Sequence, residues 1–157
     1  MKYRASGLEA EINIEKTAEL YRLIPNDADS SSASVNFRKN IDMRFENLKE
    51  HLEPYAINVY AYRDLSVVSI NQPLQSVTYC GYYQAVFDNE AALMAAVKSD
   101  QDKYYVHINY TDFGFEFSFE CIEDHVVLFF WTELPWLLPI PIEKNRYENR
   151  TTLPVLS

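Results

Sequence analysis

The sequence predicts an α+β fold, 157 residues in a single domain (1–157) with a mostly antiparallel sheet. Three observations carry this. Apolar residues recurring at every second position within three segments run from Tyr104 to Thr132, helical spacing of apolar residues occurs upstream, and a proline-rich apolar run follows. A chain of this length buries about two thirds of its unfolded surface, enough for one core.

The alternation comes first because the sheet is built on it. Tyr104, Val106, Ile108 and Tyr110, then Phe115, Phe117, Phe119 and Cys121, then Val126, Leu128 and Phe130 fall at every second position. This is a three-strand meander over 104–132 with one buried face. Turns are expected at Thr111–Gly114 and Ile122–His125. Even loops would set Tyr110 opposite Phe115, Ile108 opposite Phe117 and Val106 opposite Phe119. They would also set Phe119 opposite Leu128 and Phe117 opposite Phe130. A one-residue slip would carry a whole apolar set into water. The reverse face then carries Asn109–Glu116–Trp131, His107–Ser118–Phe129 and Tyr105–Glu120–Val127, half aromatic and half acidic.

In chain order, Asn13 suits the cap of a first helix through Ile14, Ala18, Tyr21 and Ile24, stopped by Pro25. Residues 26–34 read as a serine-rich loop. Its Asp27-x-Asp29-x-Ser31 starts like a calcium loop but lacks the glycine and the terminal glutamate, with Ser32 and Arg38 there instead. Phe37, Ile41, Phe45, Leu48 and Leu52 mark a second helix over about Val35–Leu52, with a short strand over Ser34–Arg38 as the alternative for its start. His51 near its end suits a cation favoured by the helix dipole.

Residues 56–63 and 65–71 read as a hairpin closed by Pro73, and 76–87 as a long strand bent or bulged at Gly81. Asp88 caps a helix over 89–98, whose alanines (Ala92, Ala96) with Leu93 and Val97 predict close packing on the sheet. Leu134–Ile142, interrupted by prolines, reads as an extended arm lying on its own domain.

Composition narrows the function. The net charge is −9, with residues 55–143 holding 3 basic and 12 acidic side chains. Such a balance repels phosphate backbones, so nucleic acid is not an expected partner, and it favours a basic protein. Three glycines leave no phosphate-cradling loop, and no apolar run reaches a membrane span. The N-terminus lacks a secretory leader pattern. Cys80 and Cys121 read as core residues of a chain kept in a reducing cytoplasm.

Candidates for chemistry are few. His107 beside Ser118, with Glu116 and Glu120 diagonal to it, resembles a hydrolase constellation, but flat strands supply no oxyanion donors. Glu116 and Glu120 stand roughly 13 Å apart along one strand, long for a glycosidase pair. His107 and His125 with Glu123 or Asp124 lack metal-ligand spacing. No cofactor or metal is expected. The expected function is a cytoplasmic acidic module that binds and neutralises a basic protein, such as an immunity protein against a bacterial toxin domain. Tyr105, Asn109, Asp112, Glu116, Glu120, Phe129 and Trp131 would form its binding surface. The alternative is a small enzyme or ligand-binding fold with a pocket between sheet and helices, using His107 with Glu116 or Glu120.

Overall fold

The computed structural model describes residues 1–5, 7–99 and 109–142. It is an α+β fold with a two-stranded and a five-stranded antiparallel sheet. The sequence reading assigns residues 1–12 no element. They form a hairpin of β1 (Lys2–Ala5) and β2 (Leu8–Glu11), with Gly7 at φ 70° in its turn. Tyr3, Ala5, Ala10 and Ile12 put its inner face in the core.

Helix α1 (Ile14–Leu23) is capped as expected, the Asn13 side chain accepting from the Lys16 amide at 2.9 Å. The expected second helix is two, α2 (Ser32–Met43) and α3 (Phe45–Leu52), broken at Arg44. Four turns of ideal helix take about 14.4 residues, whereas the stripe from Phe37 to Leu52 takes 15, a drift of about 60°. The break re-phases the stripe, and Phe37, Ile41, Leu48 and Leu52 are all fully buried.

Helix α2 also starts earlier than expected. Ser31 caps it, and the Asp29 carboxylate accepts from the Ser31 amide and from the Ser31 and Ser34 hydroxyls. The Arg38 guanidinium donates to Asp27 and to the Asp29 carbonyl, both at 2.7 Å. So the acidic loop serves as a helix-starting clasp, and no strand forms over 34–38.

The expected hairpin over 56–71 does not form. Ile57, Val59 and Ala61 are buried in alternation, yet residues 56–62 are irregular. They are held by local bonds from the Ala61 and Tyr60 amides to Asn58 and by a long-range one from the Asp27 amide to the Tyr60 carbonyl. Strand β3 (Arg63–Asn71) instead pairs with β4 (Ser76–Tyr83), which is shorter than expected. Along β3 the register slips between Arg63 and Ser66, facing Gly81, so the irregularity expected at Gly81 lies on the strand opposite it.

Strands β5 (Asn109–Tyr110), β6 (Phe115–Ile122) and β7 (His125–Pro135) follow, and the sheet order is β3-β4-β7-β6-β5. The β6–β7 register is the expected one, with Phe117 opposite Phe130 and Phe119 opposite Leu128. The β5–β6 register is not. Tyr110 faces Glu116 and Asn109 faces Phe117. The turn decides this. Gly114 takes φ 86°, and the Thr111 hydroxyl accepts from the Phe115 amide at 3.0 Å and donates to its carbonyl at 2.7 Å. Those bonds make a three-residue loop with a left-handed glycine, a common hairpin type. The rest of the expected first strand, 104–108, lies outside the described residues.

The helices and the irregular segment pack on one sheet face. Phe37 stacks on Phe130 at 5.6 Å and meets Tyr79, Tyr62 and Phe115 edge-on. Helix α4 (Glu90–Ser99) lies less closely than expected, for Leu93 alone is buried while Ala92 and Ala95 are exposed. Asn89 ties its start to the fold, its side chain accepting from the Glu11 amide and donating to the Glu9 carbonyl of β2. Asp88 does so as well, its amide donating to the Glu11 carbonyl and its carboxylate accepting from the Asn13 side chain. β7 runs on to Pro135, so Leu134 and Pro135, expected in the arm, are strand residues paired with Val77 and Ser76 of β4 beyond the last β6 partner. The segment that follows packs on its own chain. The Pro135 carbonyl accepts from buried Asn36 and Asn40, and Asn36 Oδ1 accepts from the Leu137 amide at 2.7 Å.

Candidate partner-binding face

Strand alternation separates two faces of the five-stranded sheet. Phe115, Phe117, Phe119, Leu128 and Phe130 face the helices. The opposite face is assembled by the β4–β7–β6 register. Cys80, Trp131 and Glu116 form one row, and Tyr82, Phe129 and Ser118 the next. Thr78 beside Glu133 and Val127 beside Glu120 bound them.

Four of the seven residues expected to form the surface, Glu116, Glu120, Phe129 and Trp131, lie together on this face, each half-buried. Asp112 stands exposed in the adjoining turn. Asn109 belongs to β5 but is set opposite Phe117, out of the row with Glu116 where the even loop would place it. Tyr105 lies outside the described residues. β4 adds Tyr82, Thr78 and Cys80, and β7 adds Glu133, none of which the sequence reading includes. Their signal is the alternation Thr78, Cys80, Tyr82 on β4, which becomes informative only once β4 is placed beside β7.

The electrostatics follow from partial burial. Desolvation raises the carboxyls of Glu116 and Glu120 above the ordinary glutamate value. Neither carboxylate has a hydrogen bond or ion pair among the described residues. Glu133 is exposed and accepts from the Ser76 hydroxyl at 2.5 Å. At the corner near Tyr82 stand Asp64 and Glu123, with Arg63 as counter-charge; burial first, then Asp64, raises the phenol. Cys80 is buried on this face rather than in the helix-side core, and burial pushes its thiol up to about 11, which disfavours the thiolate.

The chemical candidates are not brought together. Ser118 is buried opposite Phe129. His107 lies outside the described residues, and the even-loop register that set it beside Ser118 does not hold at Asn109–Tyr110. No group of three metal-ligating side chains occurs among the described residues. His51 is not the helix-end cation expected of it. It is stacked on Phe117 at 4.8 Å with Nε2 2.8 Å from the Tyr3 hydroxyl, and burial lowers its pKa. Desolvation outweighs the dipole of a two-turn helix. Among the described residues no helix is long and apolar enough to cross a membrane. Compared with known protein families, curated proteins and solved structures, the chain finds no match in any of the three.

Proposed function

We propose that this protein binds and neutralises a basic protein in the cytoplasm, in the manner of an immunity protein held against a bacterial toxin domain. The observation that supports the reading is the face built by β4, β7 and β6. Tyr82, Phe129 and Trp131 lie in two adjacent rows with Glu116, and Glu120 stands in the next row beside Val127. Both carboxylates are partly desolvated and without an ion pair or hydrogen bond among the described residues. Folding alone gains nothing from a half-buried, unpaired carboxylate. A cationic partner would supply the missing charge, and the aromatic rings would supply the contact area. The net charge of −9 would steer a basic protein towards it. Two free cysteines accord with a reducing compartment.

The test is affinity capture from the native cells, comparing the wild-type chain with Glu116→Lys/Glu120→Lys. A basic protein retained by the first and lost by the second supports the assignment. A partner retained equally by both would move binding elsewhere.

A further inference from the structure

A cleft of about 340 Å³ lies at one end of this face, between Leu20, residues 84–87, Glu90 and residues 125–127. Its origin is a parting of two neighbouring strands. β4 pairs with β7 as far as Tyr83 opposite Leu128. The chain beyond is drawn off towards α1 and the N-terminal hairpin. Tyr21 donates to the Gln84 carbonyl at 2.6 Å, Thr17 Oγ1 accepts from the Val86 amide at 3.0 Å, and Phe87 bridges to Ile12. β7 meanwhile continues back to His125, paired on that stretch with β6.

Into this gap points the first turn of α4. Glu90 Oε2 accepts from the Val126 amide at 3.3 Å, and Oε1 lies 3.7 Å from His125 Nδ1. The walls are otherwise mostly apolar, with Leu20, Ala85, Phe87, Val126 and Val127. The cleft therefore has a carboxylate at its rim, one oxygen of which makes no hydrogen bond among the described residues, above a surface suited to methylenes.

We propose that the cleft is a socket for a lysine side chain, its four methylenes on the apolar walls and its ammonium on Glu90 Oε1. Lysine is favoured over arginine because Oε2 is already shared with the Val126 amide and has only its second lone pair to offer a fork, whereas Oε1 accepts no hydrogen bond among the described residues. A guanidinium fork needs both oxygens, whereas a compact ammonium needs one. The identity of the occupant as a residue of the basic partner rests on the reading above. Val127 joins the two sites, lining the cleft and lying opposite Glu120 on the face.

The socket can be tested without the partner. Amide chemical shifts of the intact protein are followed while Nα-acetyl-lysine methylamide is added, with the norleucine and arginine analogues as controls. A probe of this size is expected to bind in the low-millimolar range. Shifts should centre on residues 84–87, Glu90 and residues 125–127. Norleucine should bind about tenfold more weakly, and arginine more weakly than lysine. Glu90→Gln keeps an acceptor for the Val126 amide and should reduce lysine binding about tenfold with an unchanged melting temperature. No shift at the cleft at several times the expected Kd, equal binding of norleucine, arginine matching lysine, or indifference to Glu90→Gln would each overturn the proposal. Failure here leaves the neighbouring face intact, since that reading depends on Glu116 and Glu120. A lysine socket that survives while no basic partner responds to those two residues would sink the face and keep the socket.

Discussion

Gly81 is the position where one methyl group should unsettle the centre of the sheet. An alanine Cβ there would stand 2.8 Å from Phe130 Cζ, 3.1 Å from Phe130 Cε2 and 3.1 Å from the Arg63 carbonyl oxygen. The ring cannot retreat. Phe130 is fully buried, stacked on Phe37 at 5.6 Å and pressed by Tyr83 at 5.3 Å and Phe115 at 5.7 Å. Overpacking of this kind costs about 1–3 kcal/mol. Loss of glycine's freedom in the unfolded chain returns about 0.4–1 kcal/mol. The net expectation for Gly81→Ala is a loss of about 1–2 kcal/mol, or about 2–8 °C in melting temperature for a chain of this size. Urea denaturation followed by circular dichroism should show a lower midpoint with an unchanged slope. In a Phe130→Leu background the Gly81→Ala penalty should shrink by about 1 kcal/mol, because the clashing ring is gone. A neutral or stabilising Gly81→Ala would refute the packing argument.

Three further expectations concern charge and strain. Burial holds the His51 pKa below its unfolded value of about 6.5. The unfolded chain therefore takes up the proton first, and stability falls as pH drops from about 6.5 towards the folded pKa. Denaturation from pH 7 to pH 5 should show His51→Gln gaining on the wild type, and a constant difference would contradict the burial of a neutral imidazole. Glu120 has the opposite sign. Its raised carboxyl penalises the fold above its folded pKa and ceases to do so below about 4.3, the unfolded value. Glu120→Gln should stabilise the free protein by about 0.5–1 kcal/mol at pH 7 and by almost nothing at pH 4. At the β6–β7 turn Glu123 and Asp124 both take left-handed backbone, φ 47° and 66°. Glu123→Asn with Asp124→Gly should therefore raise stability by about 1–2 kcal/mol in the same assay, and no gain would mean the turn is relaxed.

Short-range signals were legible where several of them agreed. The alternation of Phe115–Cys121 and Val126–Phe130 fixes both the faces and the β6–β7 register, because an even turn keeps both apolar sets together. That register alone brings Glu116, Glu120, Phe129 and Trp131 onto one surface. The Asn13 cap and Pro25 bound α1 for equally local reasons. Misreadings arose where one signal has two causes. Alternation at Ile57, Val59 and Ala61 reports burial, which an irregular segment achieves as well as a strand. The loop at Thr111–Gly114 admits an even or an odd count, and the Thr111 side chain with the left-handed Gly114 selects the odd one. His51 is placed by helical periodicity, but its neutrality depends on Tyr3 and Phe117, far away in sequence. The contributions of Tyr82, Cys80 and Glu133 to the face were illegible for a similar reason. β4 sits beside β7, about fifty residues on, and no local pattern announces that pairing.

Association kinetics with the captured basic protein test the central claim most directly. Stopped-flow rates measured across a series of salt concentrations should fall steeply as ionic strength rises, since steering is screened beyond about 8 Å at physiological salt. Glu116→Lys or Glu120→Lys should slow association, while Trp131→Ala should chiefly speed dissociation, because a half-buried aromatic anchor acts after encounter. The account predicts that separation of on-rate and off-rate mutants. A partner whose association ignores salt, and whose affinity ignores all three substitutions, would contradict it.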